Sequence, residues 1–182
     1  FRPWGQIRRI ARDRRGFNPV CGVQFRDITG LLETSDAFAT ACKEMTALSR
    51  AFAPTAVVAI DSRGVVFAGP IARDLAVPLV LARKPDKLPN PTYRKSFDLE
   101  YVSASLEIQK NTPVSAKDKV VVVDDLIATG GTAVACAELL SEHFAVLRAK
   151  ILIVSLIDLP ALGCSQIIHE RGFNVASLMT YP

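Results

Sequence analysis

The stretch Val120-Val-Val-Val-Asp124-Asp125-Leu-Ile-Ala128-Thr129-Gly130-Gly131-Thr132 passes from an apolar run into two adjacent acids, then into a loop with two glycines. The apolar run reads as a buried strand, Lys119–Asp124, that ends in the acids, and the residues after the loop read as a helix, Thr132–His143. Glycines let backbone N–H groups turn inward with no Cβ in the way. The helix start adds unpaired N–H donors and partial positive charge. Together these make a cradle for a phosphate group, to which Thr129 and Thr132 add hydroxyls. Two carboxylates at a strand end are costly to bury without a partner. Beside a phosphate cradle they suit a sugar phosphate, with the acids accepting bonds from ribose hydroxyls. No Gly-Lys-Ser/Thr follows, so the loop is not a Walker P-loop, and it is not a GxGxxG turn.

Outward from this stretch the same alternation repeats. Residues 35–52 read as a helix capped by Ser35 or Asp36, with Phe38, Ala41, Cys42, Met45, Leu48 and Phe52 at helical spacing. Ala56–Ile60 reads as a buried strand, Gly64–Leu75 as a helix and Leu79–Ala82 as a strand after Pro78. Residues 84–97 are polar, basic and rich in proline, which predicts a loop, with a hairpin from Leu99–Val102 and Ser105–Gln109. Arg148–Ile157 reads as a strand, residues 161–171 as a short helix and Val175–Thr180 as a last strand. Strands alternating with helices predict an α/β fold with a mostly parallel twisted sheet covered by helices on both faces. Ligands of such sheets bind beyond the carboxyl ends of the strands, which is where the two acids and the glycine loop fall.

With 182 residues, 49% of them hydrophobic and 22% charged, the chain can bury a real core and is expected to form one domain, residues 1–182. The runs Val120–Val123 and Ile151–Ile157 are far shorter than the ~18 apolar residues a membrane-spanning helix needs. Four cysteines, at 21, 42, 136 and 164, are too far apart for a CxxC pair. They read as reduced thiols and favour a cytoplasmic setting. The first residue is Phe, which leaves the native start open, and the charged residues 1–10 do not read as a secretory leader. His143 and His169 have no Cys or His at ligand spacing, so no metal bound by the protein alone is expected.

The net charge of +4 is unevenly placed. Residues 1–15 hold Arg2, Arg8, Arg9, Arg12, Arg14 and Arg15 against Asp13, a basic arm over about residues 1–16. A second patch holds Arg83, Lys84, Lys87, Arg94 and Lys95 against Asp86. Basic clusters attract phosphate, in nucleic acid or in a small ligand.

The Val120–Thr132 stretch resembles the 5-phosphoribosyl-1-pyrophosphate (PRPP) motif of type I phosphoribosyltransferases. Further segments, in order, resemble the adenine phosphoribosyltransferase branch of that family: Gly22-Val-Gln-Phe-Arg-Asp-Ile-Thr29, Asp61-Ser-Arg-Gly64, Arg83-Lys84 with Lys87-Leu-Pro, and Leu99-Glu-Tyr101 with Leu106-Glu-Ile-Gln-Lys110. The resemblance implies transfer of a 5-phosphoribosyl group from PRPP to adenine, giving AMP and pyrophosphate, with Mg²⁺ held mainly through PRPP and water and Asp124 or Asp125 as outer partners. It implies that Arg63 grips pyrophosphate with its planar fork, that the Asp61–Ser62 peptide is cis, and that Lys84 and Lys87 add pyrophosphate contacts. Asp124, Asp125, Ala128, Thr129, Gly130, Gly131 and Thr132 would bind the phosphoribosyl part. Glu100 and Tyr101 would sit on a flexible hood, about residues 84–110, with Glu100 exchanging a proton with N7 of adenine. Val23, Gln24, Phe25 and Arg26, with Leu156, would line the adenine site. A homodimer is implied as well.

Two other readings stand beside this one. The PRPP loop alone does not separate adenine from another purine base. A PRPP-sensing regulator that binds nucleic acid would use the arginine arm. The presence of both Arg63 and Glu100 speaks against the regulator, so no nucleic-acid or membrane partner is expected.

Overall fold

The computed structural model describes residues 27–98, 103–159 and 163–180. Five strands form a parallel sheet in the order β2-β1-β5-β6-β7. They are β1 (Ala56–Ile60), β2 (Leu79–Ala82), β5 (Val120–Ile127), β6 (Ile151–Asp158) and β7 (Asn174–Thr180). A separate antiparallel pair, β3 (Thr92–Asp98) and β4 (Ser103–Gln109), makes a second small sheet. The helices are α1 (Thr29–Leu32), α2 (Ser35–Ala51), α3 (Gly64–Leu75), α4 (Gly131–His143) and α5 (Cys164–Glu170), with a 3₁₀ turn at Arg148–Lys150.

The central strands carry almost no polar side chain because both sheet faces are covered. Val58, Ile60, Val120, Val122, Ile151 and Ile153 face Cys136, Leu139 and Leu140 of α4. Their neighbours Val57, Ala59, Val121, Val123, Leu152 and Val154 face Met45 of α2 and Phe67 and Ile71 of α3. Side chains alternate across a strand, so a strand between two helical layers must be apolar at every position. Phe67 is fully buried, and burying such a ring contributes about 1.5–3 kcal/mol. Cys42 and Cys136 are free, buried thiols.

The expected α/β sheet with helices on both faces is the observed one, and four sequence expectations are corrected. The cap of α2 is Thr34, not Ser35 or Asp36, and Thr34 makes no side-chain bond to the helix start; its hydroxyl donates instead to the Gly30 carbonyl. The strand at the acids does not stop at Asp124 but runs to Ile127, so both acids lie within it. Part of the expected loop 84–97 is strand β3, paired residue for residue with β4 from Thr92↔Gln109 to Asp98↔Ser103. Tyr93 and Phe97 lean on the core, while Lys95 between them ends in an ion pair with Glu138 of α4, so the apolar period is broken by a lysine. Residues 148–150 form the 3₁₀ turn ahead of β6 rather than its start. Residues 99–102 of the expected hairpin lie outside the described residues.

Connectivity places the site. From β1 the chain moves through α3 to β2 on one side, and from β5 through α4 to β6 on the other. Strands β1 and β5 are neighbours, so the direction of winding reverses between them. A crevice opens at such a switch point, outside the carboxyl ends of the strands.

Candidate active site

Three loops meet at this edge, after β1, β2 and β5. The first is Asp61-Ser62-Arg63, whose Asp61–Ser62 peptide is cis. Arg63 is the N-cap residue of α3, and its side chain is one-third exposed, at 33%. Its guanidinium reaches the neighbouring strand, where Nη2 lies 3.0 Å from Asp125 Oδ2. That oxygen is buried and, among the described residues, accepts no hydrogen bond, so the contact is one of charge alone. Gly64 makes the approach possible. A Cβ there would stand 2.5 Å from the Val123 carbonyl oxygen and 3.1 Å from Asp124 Cα, so only glycine lets α3 begin against β5.

Asp125 is 4% exposed, and Asp124 is partly buried. Asp124 Oδ1 accepts the backbone N–H of Asp125 at 2.8 Å. Burial first, and the charge of Asp125 second, push the Asp124 carboxyl well above the usual carboxylate range, against the pull of Arg63. Two acids that repel each other and share one arginine are poised to take up a cation or hydroxyl donors. Burial and the nearby Asp124 charge also push the Cys136 thiol up, which keeps it inert.

The loop after β5 runs Ala128-Thr129-Gly130 into α4. Gly130 is the N-cap with φ 76°, a left-handed conformation that suits glycine, and no side chain caps the helix. Backbone N–H groups of the first turn have no partner inside a helix. An uncapped helix start beside Thr129 and Thr132, both partly exposed, is a ready anion cradle.

The loop after β2 carries Arg83, Lys84 and Lys87. Arg83 Nε binds Asp61 Oδ2 at 2.9 Å and its Nη1 donates to the Lys87 carbonyl at 3.0 Å. The first and second loops are thereby tied together. Lys84 and Lys87 are exposed, and among the described residues no carboxylate pairs with either.

Among the expected site residues, Arg63, Asp124 and Asp125 come together directly, and Ala128, Thr129, Gly130, Gly131 and Thr132 follow in the loop after β5 and the first turn of α4. Leu156 is fully buried in the core on β6. Val23, Gln24, Phe25, Arg26, Glu100 and Tyr101 lie outside the described residues.

Residues 32–162 match the family model described as a phosphoribosyl transferase domain. The adenine phosphoribosyltransferase of Pelagibacter ubique is 38% identical over 164 residues, which is 90% of this chain and 91% of that protein. The chain belongs to the adenine phosphoribosyltransferase family. The family member from Treponema denticola is 41% identical over 164 residues, 90% of this chain and 83% of that protein. The solved adenine phosphoribosyltransferase of Thermoanaerobacter pseudethanolicus superposes with a TM-score of 0.84 at 33% identity, covering 97% of this chain and 99% of that one. The Giardia lamblia member, solved in complex with 9-deazaadenine, superposes with a TM-score of 0.83 at 33% identity, covering 90% of each chain.

The residues that tie this edge of the sheet together carry little local signal in the sequence. Asp61 and Arg83, far apart in sequence, form the ion pair between two loops. Glu107, inside a Leu-Glu-Ile-Gln strand, is 3% exposed and turned toward the Arg83 loop. The signal that could have found it is a lone acid between two core residues, Leu106 and Ile108, in a strand with a basic partner strand.

Proposed function

We propose that this chain transfers the 5-phosphoribosyl group of PRPP to adenine, giving AMP and pyrophosphate in purine salvage. The observation that carries the reading is the meeting of Arg63 with Asp125 at the crevice between β1 and β5, next to an uncapped helix start. The 5′-phosphate occupies the Ala128–Thr132 loop, bound by backbone N–H groups and by Thr129 and Thr132. Asp124 and Asp125 accept the ribose hydroxyls. Arg63 turns from Asp125 to the pyrophosphate as PRPP enters, which releases the buried Asp125 oxygen to the ribose. Lys84 and Lys87 add charge around the same pyrophosphate. Negative charge on pyrophosphate grows as its bond to ribose breaks, so these cations stabilise the transition state more than the substrate.

Glu100 exchanges a proton with N7 of the base once the hood bearing Tyr101 has closed and excluded water. Backbone groups of Val23–Arg26 read the purine edge, Phe25 covers its face, and Leu156 backs the pocket. Carboxylates are hard donors suited to Mg²⁺, and Asp124 and Asp125 at the crevice would offer them. PRPP oxygens and water would hold most of its shell, with Asp124 or Asp125 as outer partners. The ion would neutralise charge on the departing pyrophosphate.

The reading extends to one domain over residues 1–182 with a basic arm, a homodimer, and a cytoplasmic location. Among the described residues no helix is long and apolar enough to cross a membrane. The test is to mix the protein with PRPP, Mg²⁺ and adenine and follow AMP and pyrophosphate by chromatography. Equal amounts of both products support the reading, and no AMP refutes it.

A further inference from the structure

Strand β4 is buried at three successive positions, Leu106, Glu107 and Ile108. Leu106 and Ile108 turn to the core, so Glu107 must turn to the opposite face. There the Arg83–Lys87 loop covers it. The loop touches Glu107 through the main chain in both directions: Arg83 N–H donates to the Glu107 carbonyl at 2.9 Å, and Glu107 N–H donates to the Arg83 carbonyl at 2.7 Å. The carboxylate is divided between two donors. Oε2 accepts the backbone N–H of Asp86 at 3.2 Å, and Oε1 accepts Arg94 Nε at 2.7 Å, with Arg94 Nη2 2.6 Å away in the ion pair. Arg94 stands directly opposite Glu107 in the hairpin. Asp86 has φ 61°, a left-handed conformation that a non-glycine residue adopts at a cost. The bond to Glu107 helps to hold it there.

We propose that Glu107 is a positioning residue for pyrophosphate: it holds the Arg83–Lys87 loop in the shape that presents Lys84 and Lys87. The loop is fixed from both sides, by Glu107 at Asp86 and by Arg83 at the Lys87 carbonyl. Arg83 is itself fixed on Asp61, two residues before Arg63. The buried carboxylate therefore sets the relation between the two lysines and the arginine without touching the substrate. Glutamine has the same shape but only one acceptor oxygen, so it cannot serve both Asp86 and Arg94.

This inference rests on the assignment of Lys84 and Lys87 to pyrophosphate, and the experiment separates the two. Steady-state KM for PRPP and calorimetric Kd for AMP are measured on the parent, Glu107→Gln, Arg94→Ala and the double variant Lys84→Ala/Lys87→Ala. Glu107→Gln is expected to raise the PRPP KM about tenfold, the scale of one charge-assisted hydrogen bond, with AMP Kd within about twofold of the parent, since AMP has no pyrophosphate. If Glu107→Gln does not fold, Arg94→Ala, at a half-exposed side chain, must raise the PRPP KM in the same selective way. A raised PRPP KM in the lysine variant with parent values in Glu107→Gln overturns the role of Glu107. An unchanged PRPP KM in the lysine variant overturns the loop assignment and the inference with it. Equal weakening of PRPP and AMP in Glu107→Gln makes Glu107 merely structural and also overturns it.

Discussion

The guanidinium of Arg63 lies 3.0 Å from the carboxylate of Asp125, across the crevice between strands β1 and β5. Both groups belong to the proposed PRPP site, and each offsets the charge of the other. Removing one partner of a buried pair leaves an uncompensated charge, which is more damaging than removing both. Arg63→Ala is therefore expected to lower stability, and Asp125→Asn in the same chain to restore most of the loss. Chemical denaturation of the two single variants and the double variant should give a coupling within about 0.5–3 kcal/mol, toward the lower end because Arg63 is one-third exposed. Simple additivity would deny the pair any role. Calorimetry on Arg63→Ala adds a second reading: PRPP should weaken strongly while AMP, which lacks pyrophosphate, hardly changes.

Gly64 brings those two groups together. In Gly64→Ala the new Cβ meets the Val123 carbonyl at 2.5 Å, a backbone atom that cannot swing aside. Helix α3 must move away from β5, carrying Arg63 with it. The overpacking costs about 1–3 kcal/mol, and kcat/KM for PRPP should fall by at least about tenfold. A variant with parent kinetics would show that the α3–β5 approach does not set the site.

Asp124 gives a dependence on pH. Burial and the charge of Asp125 raise its folded pKa well above the unfolded value near 3.8. The folded state then binds the proton more tightly than the unfolded one, so this group's contribution to stability falls as pH rises from about 4 through the raised folded value. Asp124→Asn should leave stability at pH 4 unchanged and increase it at neutral and alkaline pH, while weakening PRPP binding. Thermal melts at pH 4 and pH 8 check this; a variant that loses stability at pH 8 contradicts the cause assigned to the shift.

Glu100 lies outside the described residues, and its role rests on the family resemblance of Leu99-Glu-Tyr101. Glu100→Gln should lower kcat by about 10²–10⁴-fold with PRPP affinity nearly intact. A kcat within about twofold of the parent, with chemistry rate-limiting, would remove Glu100 from the mechanism.

The central sheet was legible because its strands are covered on both faces, which forces continuous apolar runs such as Val120–Val123. The phosphate cradle was legible because strand, glycine loop and helix are adjacent in sequence. Strand β3 was not, since Lys95 between Tyr93 and Phe97 hides the apolar alternation by ending in ion pairs with Glu138 and Glu142. Burial alone would raise Glu138, but hydrogen bonds from Lys95 and Arg171 outweigh it and hold this carboxyl below its ordinary value. Such pairs join residues far apart in the chain, as do Arg63–Asp125 and Arg83–Asp61, and no local pattern announces them. The Thr34 cap was missed for a related reason: its hydroxyl turns back to Gly30 instead of to the helix it precedes.

The central claim is transfer to adenine in particular, and parallel progress curves with PRPP, Mg²⁺ and each of adenine, hypoxanthine, guanine and xanthine test it most directly. The account predicts nucleotide and pyrophosphate formation with adenine at a kcat/KM at least about a hundredfold above the other three, a ratio that hydrogen-bond readout of a purine edge can supply. Comparable or faster turnover with hypoxanthine, guanine or xanthine would contradict it.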